Sequence, residues 1–131
     1  MSRKLDAALA EALGHEVTTT QLSVGGKMHY MALPNRNWKR IPCYSAIARS
    51  MLRLDKEMQT RGWQLQLFYS RNTKKWVANY RKDRAIQRGG IGAEMPFAVA
   101  LAAYHALTGN RWVDQSKPQN QKDVNERGEK Q

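Results

Sequence analysis

The sequence predicts an α+β fold in which helices pack on one largely antiparallel sheet of four strands. Apolar residues recur at helical spacing in three segments and at every second position in the segments between them. The order is therefore helix, hairpin, helix, hairpin, helix, which is typical of a sheet covered by helices. We expect residues 1–113 to form a single domain. Residues 114–131 are rich in Gln, Asn, Lys and Glu, so we expect a disordered polar tail.

The chain opens with an amphipathic helix and a hairpin. Ser2 is a good N-cap for a helix over residues 2–13, and Gly14 is a suitable end. The next segment is β-branched and contains the pair Gly25-Gly26, which is typical of a two-residue turn. These signals predict strands near residues 16–24 and 27–33, with Pro34 ending the second.

The middle of the chain predicts a connection, a second helix and a second hairpin. Ser45 is the expected N-cap of a helix over roughly residues 46–61, and Gly62 closes it. The expected apolar face of this helix consists of Ile47, Met51, Leu54 and Met58. The segments "WQLQLFYS" and "WVANYRK" then alternate around a turn at residues 71–75, which predicts antiparallel strands with Trp76 in the core.

A basic, glycine-rich loop is predicted at residues 83–93, followed by a last helix from Pro96 to Gly109. This helix is apolar nearly all round, so it should be buried on more than one side. It lies either between the sheet and another helix or at a subunit interface. We expect a homo-oligomer.

Composition argues against several classes of protein. Cys43 is the single cysteine, so there is neither a disulfide framework nor a zinc knuckle, and a reducing cytoplasm is expected. No apolar run is long enough to cross a bilayer. The histidines His15, His29 and His105 lack metal-ligand spacing, and His105 is expected to be a hydrogen-bonded core residue. We therefore predict no metal, no cofactor and no catalytic residues.

The formal charge of +11 is concentrated in two stretches. They supply a candidate basic patch, namely Arg36, Lys39, Arg40, Arg71, Lys74, Lys75 and Lys82. Such a patch predicts an anionic partner, although a basic surface can also serve solubility alone. A continuous track of cations favours nucleic acid or an acidic protein surface, whereas converging arginines favour one small ligand.

The candidate ligand-binding residues lie at two helix entrances. Arg81, Arg84 and Arg88 are expected to neutralise phosphates. Gly90 exposes a backbone N–H before the last helix, although a tight connection alone would also explain the glycines there. Tyr80 is a candidate stacking surface, with a core position as the alternative. Tyr44 and Ser45 place hydroxyl groups beside the N-terminus of the second helix, with a packed loop aromatic as the favoured alternative for Tyr44.

Three segments resemble one known family over roughly residues 3–109. They are "KLDAALAEALG", "IPCYSAIARSMLRLDKEMQTRGWQLQL", with its Pro-x-Tyr-Ser turn and Arg-Gly-Trp, and "MPFAVALAAYHALTG". In this order they resemble the phage ABA-sandwich domain family. Its relatives include the Thoeris anti-defence sponge proteins, non-catalytic oligomers that sequester cyclic ADP-ribose signals, and in some cases cyclic oligonucleotides, in pockets between subunits.

That resemblance implies a phage-encoded protein, acting in the host cytoplasm, that binds and withholds a small anionic nucleotide. The basic stretches would be pocket walls, and the last helix would help build the oligomer. The alternative is a module that binds nucleic acid or inhibits a host defence protein, as anti-CRISPR proteins do.

Overall fold

The computed structural model describes residues 2–21, 27–32, 37–83 and 86–113. These residues form three helices and six strands in the order α1, β1, β2, β3, α2, β4, β5, β6, α3. Several predicted features lie outside the described residues: the Gly25-Gly26 turn, Pro34, Arg36, Arg84 and the tail at 114–131. Among the described helices, none is long and apolar enough to span a membrane.

The first sheet is antiparallel and contains β1 (Val17–Gln21), β2 (Lys27–Ala32) and β3 (Trp38–Arg40). Val17 lies opposite Met31, which confirms the pairing of the first predicted hairpin. Strand β3 corrects the sequence interpretation, which placed a connection there. Arg40 pairs with Tyr30, and two of the three β3 side chains are exposed, so no buried alternation revealed this strand in the sequence.

The second sheet contains β4 (Gln64–Ser70), β5 (Lys75–Lys82) and β6 (Ile86–Gly92) in that order, again antiparallel. The hairpin of β4 and β5 was predicted and is confirmed. Strand β6 was predicted as a loop, which is wrong, because its glycines pair with β5 in register. The described fold thus has two three-stranded sheets instead of the single four-stranded sheet predicted.

Two of the three helices match their predicted limits closely. Helix α1 (Arg3–Ala12) begins after Ser2, whose side chain accepts a hydrogen bond from the Leu5 backbone nitrogen. Helix α3 (Met95–Thr108) has Pro96 in its first turn and ends at the left-handed residue Gly109. Helix α2 (Ala48–Thr60) begins later than expected, after Ile47. Ser45 is therefore not its N-cap, and Ile47, predicted to be apolar core, is 50% exposed.

Helix α3 connects the parts of the core. It packs against β5 and β6 and also contacts α1 and α2, while α1 contacts β1 and β2. Its close approach to β6 depends on glycine. A Cβ atom placed on Gly90 would lie 2.5 Å from the Ala102 nitrogen and 2.6 Å from the Ala98 oxygen. The predicted burial of α3 on more than one side is confirmed for the residues that the structure describes.

Candidate functional site

Tyr44 and Ser45, the first predicted ligand pair, lie in the core. Ser45 belongs to a group of hydrogen-bonded residues that we name the closed cluster: Ser2, Arg3, Asp6 and Ser45. The Ser45 nitrogen donates to Asp6 Oδ1 at 2.9 Å, and Arg3 Nη1 donates to Asp6 Oδ2 at 2.8 Å. The Ser2 nitrogen donates to Ser45 Oγ at 3.0 Å, and Ser45 Oγ donates back to the Ser2 carbonyl oxygen at 3.2 Å.

The closed cluster joins the start of α1 to the loop before α2. Both Asp6 and Ser45 are fully buried. Burial raises the pKa of Asp6 above its ordinary 3.8, while the hydrogen bonds from Ser45 and the charge of Arg3 act in the opposite direction. Burial, followed by the charges of Glu57 and Asp6, raises the pKa of Tyr44 to about 12. The Ser45 hydroxyl and backbone N–H are therefore bonded within the fold, and Tyr44 is buried.

Tyr80 is also a core residue. It is fully buried, and its hydroxyl donates to Asp55 Oδ1 of α2 at 2.9 Å. Burial, together with the Asp55 charge and hydrogen bond, raises the pKa of Tyr80 well above its ordinary 10.0. Its ring therefore has no exposed face on which a ligand can stack, and the hydroxyl fixes β5 to α2.

Two of the three predicted phosphate-binding arginines, Arg81 and Arg88, do not converge. Arg81 pairs with Gln87 and Arg88 pairs with Tyr80, so their side chains leave opposite faces of the second sheet. The two faces differ: one carries Tyr80 and faces α3, and the other we name the outward face. Gly90 is held against α3. Arg84 lies outside the described residues.

The predicted basic patch is divided between the two sheets. Lys39 and Arg40 belong to β3 of the first sheet. Arg71 and Lys74 are exposed in the turn between β4 and β5, where Lys75 begins β5. Lys82 has a different role, since its Nζ lies 5.6 Å from the centroid of the Trp63 ring, which is a cation–π contact.

A groove of about 530 Å³ lies beside β6 and the C-terminal half of α3, and we name it the α3–β6 groove. The lining includes both faces of the second sheet and the residues that follow α3. The lining residues are Gln66, Phe68, Val77, Ala78, Asn79, Gly89, Gly90, Ile91, Leu101, His105, Arg111 and Trp112. Of the predicted ligand residues, Gly90 alone is among them.

One residue that lines this groove carries an unsatisfied atom. His105 Nδ1 is buried and has no hydrogen-bond partner among the described residues. Arg111 lines the same groove and Trp112 stands beside it, with its ring edge-to-face with Tyr104 at 5.2 Å. Buried polar atoms are nearly always paired in proteins, so an unpaired one points to a missing ligand or water.

Sequence reasoning missed this end of the groove. His105 was expected to be hydrogen-bonded in the core, and Arg111 and Trp112 received no role because the polar sequence after Gly109 resembled the start of a tail. One signal was present: a tryptophan three residues after a helix-ending glycine seldom remains unpacked. The adjacent arginine would then have been placed beside the C-terminal end of α3.

The described residues contain no group of three or more His, Cys, Asp and Glu side chains that could hold a metal ion. The residues lining the α3–β6 groove include no carboxylate. The groove thus offers a cation, an imidazole, amides and apolar surface. Cations and amides can bind anions, and apolar surface packs against apolar or planar groups.

The described residues thus form an α+β fold with two antiparallel sheets and a groove beside the last helix. The chain is similar in fold to a phage protein from Bacillus cereus ATCC 14579, whose crystal structure was solved at 2.0 Å. The TM-score is 0.60 with 14% sequence identity, and the likeness covers 79% of this chain and 90% of that one. At this identity the likeness shows the fold alone. No family model and no curated protein matches the sequence.

Proposed function

We propose that this chain is a phage-type, non-catalytic binding protein that takes a small anionic nucleotide into the α3–β6 groove and withholds it from a host defence system. The observation that carries the proposal is that His105, whose buried Nδ1 has no partner among the described residues, lines the same groove as Arg111. An anionic oxygen or a base nitrogen there would satisfy that atom.

The shape of the groove is compatible with such a ligand. Its volume of about 530 Å³ lies within the range of about 300 to 1,000 Å³ that is usual for small-molecule sites. Arg111 offers a guanidinium, which binds phosphate in a bidentate manner. Phe68 and Trp112 offer aromatic surface for a base, and the Gln66 and Asn79 amides offer hydrogen bonds to its edge.

Two further observations support binding and sequestration. No carboxylate lines the groove beside His105, so the carboxylate partner that orients many catalytic histidines is missing from the lining. The fold is similar to that of a phage protein, and the sequence resembles a family whose relatives are anti-defence sponges. Withholding a signal requires tight binding alone, which a groove without acid–base pairs can supply.

Retention of nucleotides during filtration tests the proposal. The purified protein is mixed in turn with cyclic ADP-ribose, a cyclic dinucleotide and AMP, filtered, then denatured, and the released ligand is quantified by mass spectrometry. We expect at least one cyclic nucleotide to be retained. Arg111→Gln removes a charge-assisted contact worth about 1.5 to 3 kcal/mol, so the affinity should fall about tenfold to a hundredfold.

Lys56→Gln provides the matched control, because Lys56 is an exposed cation of α2 that does not line the groove. Its affinity should equal that of the unaltered protein. Recovery of all three nucleotides in the filtrate before denaturation contradicts the proposal. Equal losses in the Lys56 and Arg111 variants would mean that binding follows total charge and not this groove.

A further inference from the structure

A second groove, of about 680 Å³, lies between β4 and α2, and we name it the β4–α2 groove. Asp55 and Gln59 of α2 line one side of it. Gln64, Leu65 and Gln66 line the other side, and their side chains alternate between the two faces of the sheet. Alternating side chains reach one cavity at the edge of a strand, so this groove follows the edge of β4.

Strand β4 is an edge strand without the usual protection. It pairs with β5 on one side, and no other described strand pairs with it. About half of its backbone N–H and C=O groups therefore point away from β5 into the groove. Proteins commonly protect such edges with charged side chains or proline, yet the β4 sequence "QLQLFYS" contains neither. An open edge of this kind accepts another extended strand.

The groove is apolar on the side that faces α2. Leu65 lies opposite Tyr80, which bonds to Asp55 of α2, so Leu65 is on the face of the sheet that α2 covers. Leu52 lies seven positions before Gln59 and therefore on the same side of α2. Leu52 is 62% exposed. An added strand would therefore meet apolar surface on this face.

The groove is polar and positive on the outward face. Arg81 lies opposite Gln64, and both line the groove. Among the described residues Arg81 forms no ion pair. Asp55 already accepts from Tyr80 at 2.9 Å and from Gln59 at 2.8 Å, and Asp83, which lines an adjoining cavity with Arg81, makes no ion pair with it. A carboxylate on this face of an added strand would complement Arg81.

Two occupants from the chain itself fit poorly. The sequence 114–131 contains one large apolar residue, Val124, so it has no alternating apolar pattern to place against Leu52 and Leu65. Pairing of two β4 edges would bring the exposed Arg53 and Lys56 of one α2 towards those of the other. Both copies would also carry the formal charge of +11.

We propose that the β4–α2 groove binds an extended segment of a partner protein in which apolar and acidic residues alternate. The backbone of this segment adds a strand to β4 and satisfies the open N–H and C=O groups. Because successive side chains of a strand point to opposite faces, the apolar residues pack on Leu52 and Leu65. The acidic residues then lie on the outward face, where Arg81 binds a carboxylate.

The test uses a labelled peptide of about eight residues that alternates valine and glutamate, which spans about 27 Å when extended. Its ends are acetylated and amidated, so that any carboxylate contact comes from a side chain. A second peptide has lysine in place of every glutamate. Fluorescence anisotropy at low salt should show binding of the Glu peptide and none of the Lys peptide. Hydrogen exchange should show that the Glu peptide protects backbone amides of residues 64–70.

Arg81→Glu should lower the affinity for the Glu peptide about tenfold or more. The matched control is Arg40→Glu, which makes the same change of charge at an exposed position in the first sheet and should lower the affinity much less. Leu52→Ser should also weaken binding, with the far-ultraviolet circular dichroism spectrum unchanged because Leu52 is exposed. None of these three residues lines the α3–β6 groove, so nucleotide retention by the variants separates a failure here from a failure of the proposed function.

Three results overturn the proposal. The first is that the Glu peptide does not bind, or binds without protecting the β4 amides. The second is an equal loss of affinity in the Arg81 and Arg40 variants, since binding would then follow total charge. The third is protection of the β4 amides before peptide is added. If that protection is independent of protein concentration, the chain covers its own edge, and if it rises with concentration beside a dimer in sedimentation, a second copy does.

Discussion

Buried polar atoms at two places in this protein differ in whether they have hydrogen-bond partners. In the closed cluster, Asp6 accepts from Ser45 and Arg3, and Ser45 exchanges hydrogen bonds with Ser2. By contrast, His105, which lines the α3–β6 groove, has a buried Nδ1 without a partner among the described residues. The hydrogen bonds of the closed cluster stabilise the fold, whereas His105 Nδ1 is left for a partner outside the described residues.

The difference shows why residue type alone is a poor guide to a binding site. A hydroxyl pair at a helix entrance suggests a ligand site from the sequence, yet Tyr44 and Ser45 are buried here. A buried polar group costs about 1 to 3 kcal/mol when it is left unpaired. Buried polar groups are therefore nearly always hydrogen-bonded, either within the fold or to a ligand. An unpaired buried atom is a better indicator of a binding site than residue type is.

The largest expected effect on stability comes from Gly90, which lies on the side of β6 that contacts α3. Gly90→Ala would place its methyl group against the backbone of α3, which cannot move aside as a flexible side chain can. We expect a loss of roughly 3 kcal/mol or more in the free energy of unfolding, measured by urea denaturation.

Gly89→Ala is the matched control for Gly90→Ala. The new methyl group would meet the Ala78 oxygen at 3.4 Å and Asn79 Oδ1 at 3.8 Å, which are ordinary contacts. Stability should change by about 0.5 kcal/mol or less. Because Gly89 lines the groove, the methyl group should nevertheless reduce nucleotide retention. Equal stabilities of the two variants would contradict the close approach of α3 to β6.

The second effect tests the closed cluster. Asp6→Ala removes the acceptor of the Ser45 nitrogen and one acceptor of Arg3, and it leaves the Ser45 N–H buried. We expect the free energy of unfolding to fall by about 2 to 3 kcal/mol. Nucleotide retention, measured below the transition, should be unchanged. A stable variant that loses the ligand would return Tyr44 and Ser45 to the candidate site.

Strong periodic signals made part of the fold predictable. Helices α1 and α3 and the β4–β5 hairpin follow from spacing, a serine cap, a first-turn proline and terminal glycines. Strands β3 and β6 do not, because Trp38–Arg40 is mostly exposed and Ile86–Gly92 contains three glycines, which usually weaken a strand. These strands exist through pairing and, for β6, through packing of α3 on Gly90 and Gly92.

The candidate site was harder to predict than the fold. Tyr80 is 25 positions from its partner Asp55, and Ser45 is 39 positions from Asp6. Pairings this distant cannot be read from local spacing, so the sequence could not show which polar groups were already satisfied. Arg81 and Arg88 were separated by the register of β6, a strand that the sequence did not reveal.

The smallest expected effect is the sharpest test of the contrast between the closed cluster and the α3–β6 groove, because the free energy of unfolding should rise instead of fall. His105→Leu replaces the unpaired imidazole by an apolar side chain in a helix that is already apolar. Without ligand, we expect the free energy of unfolding to rise by up to about 1 kcal/mol, since the cost of burying an unpaired nitrogen is removed. Nucleotide retention should fall at the same time.

Tyr80→Phe is the companion variant, because it removes a buried polar group that has a partner, Asp55. It should lower the free energy of unfolding by about 1 kcal/mol and leave nucleotide retention intact. Thermal and urea denaturation should show that His105→Leu raises the free energy of unfolding and that Tyr80→Phe lowers it. That result would support a groove whose polar groups bind a ligand. A destabilised His105→Leu variant that still retains nucleotide would mean that the imidazole belongs to the fold, as Ser45 and Tyr80 do.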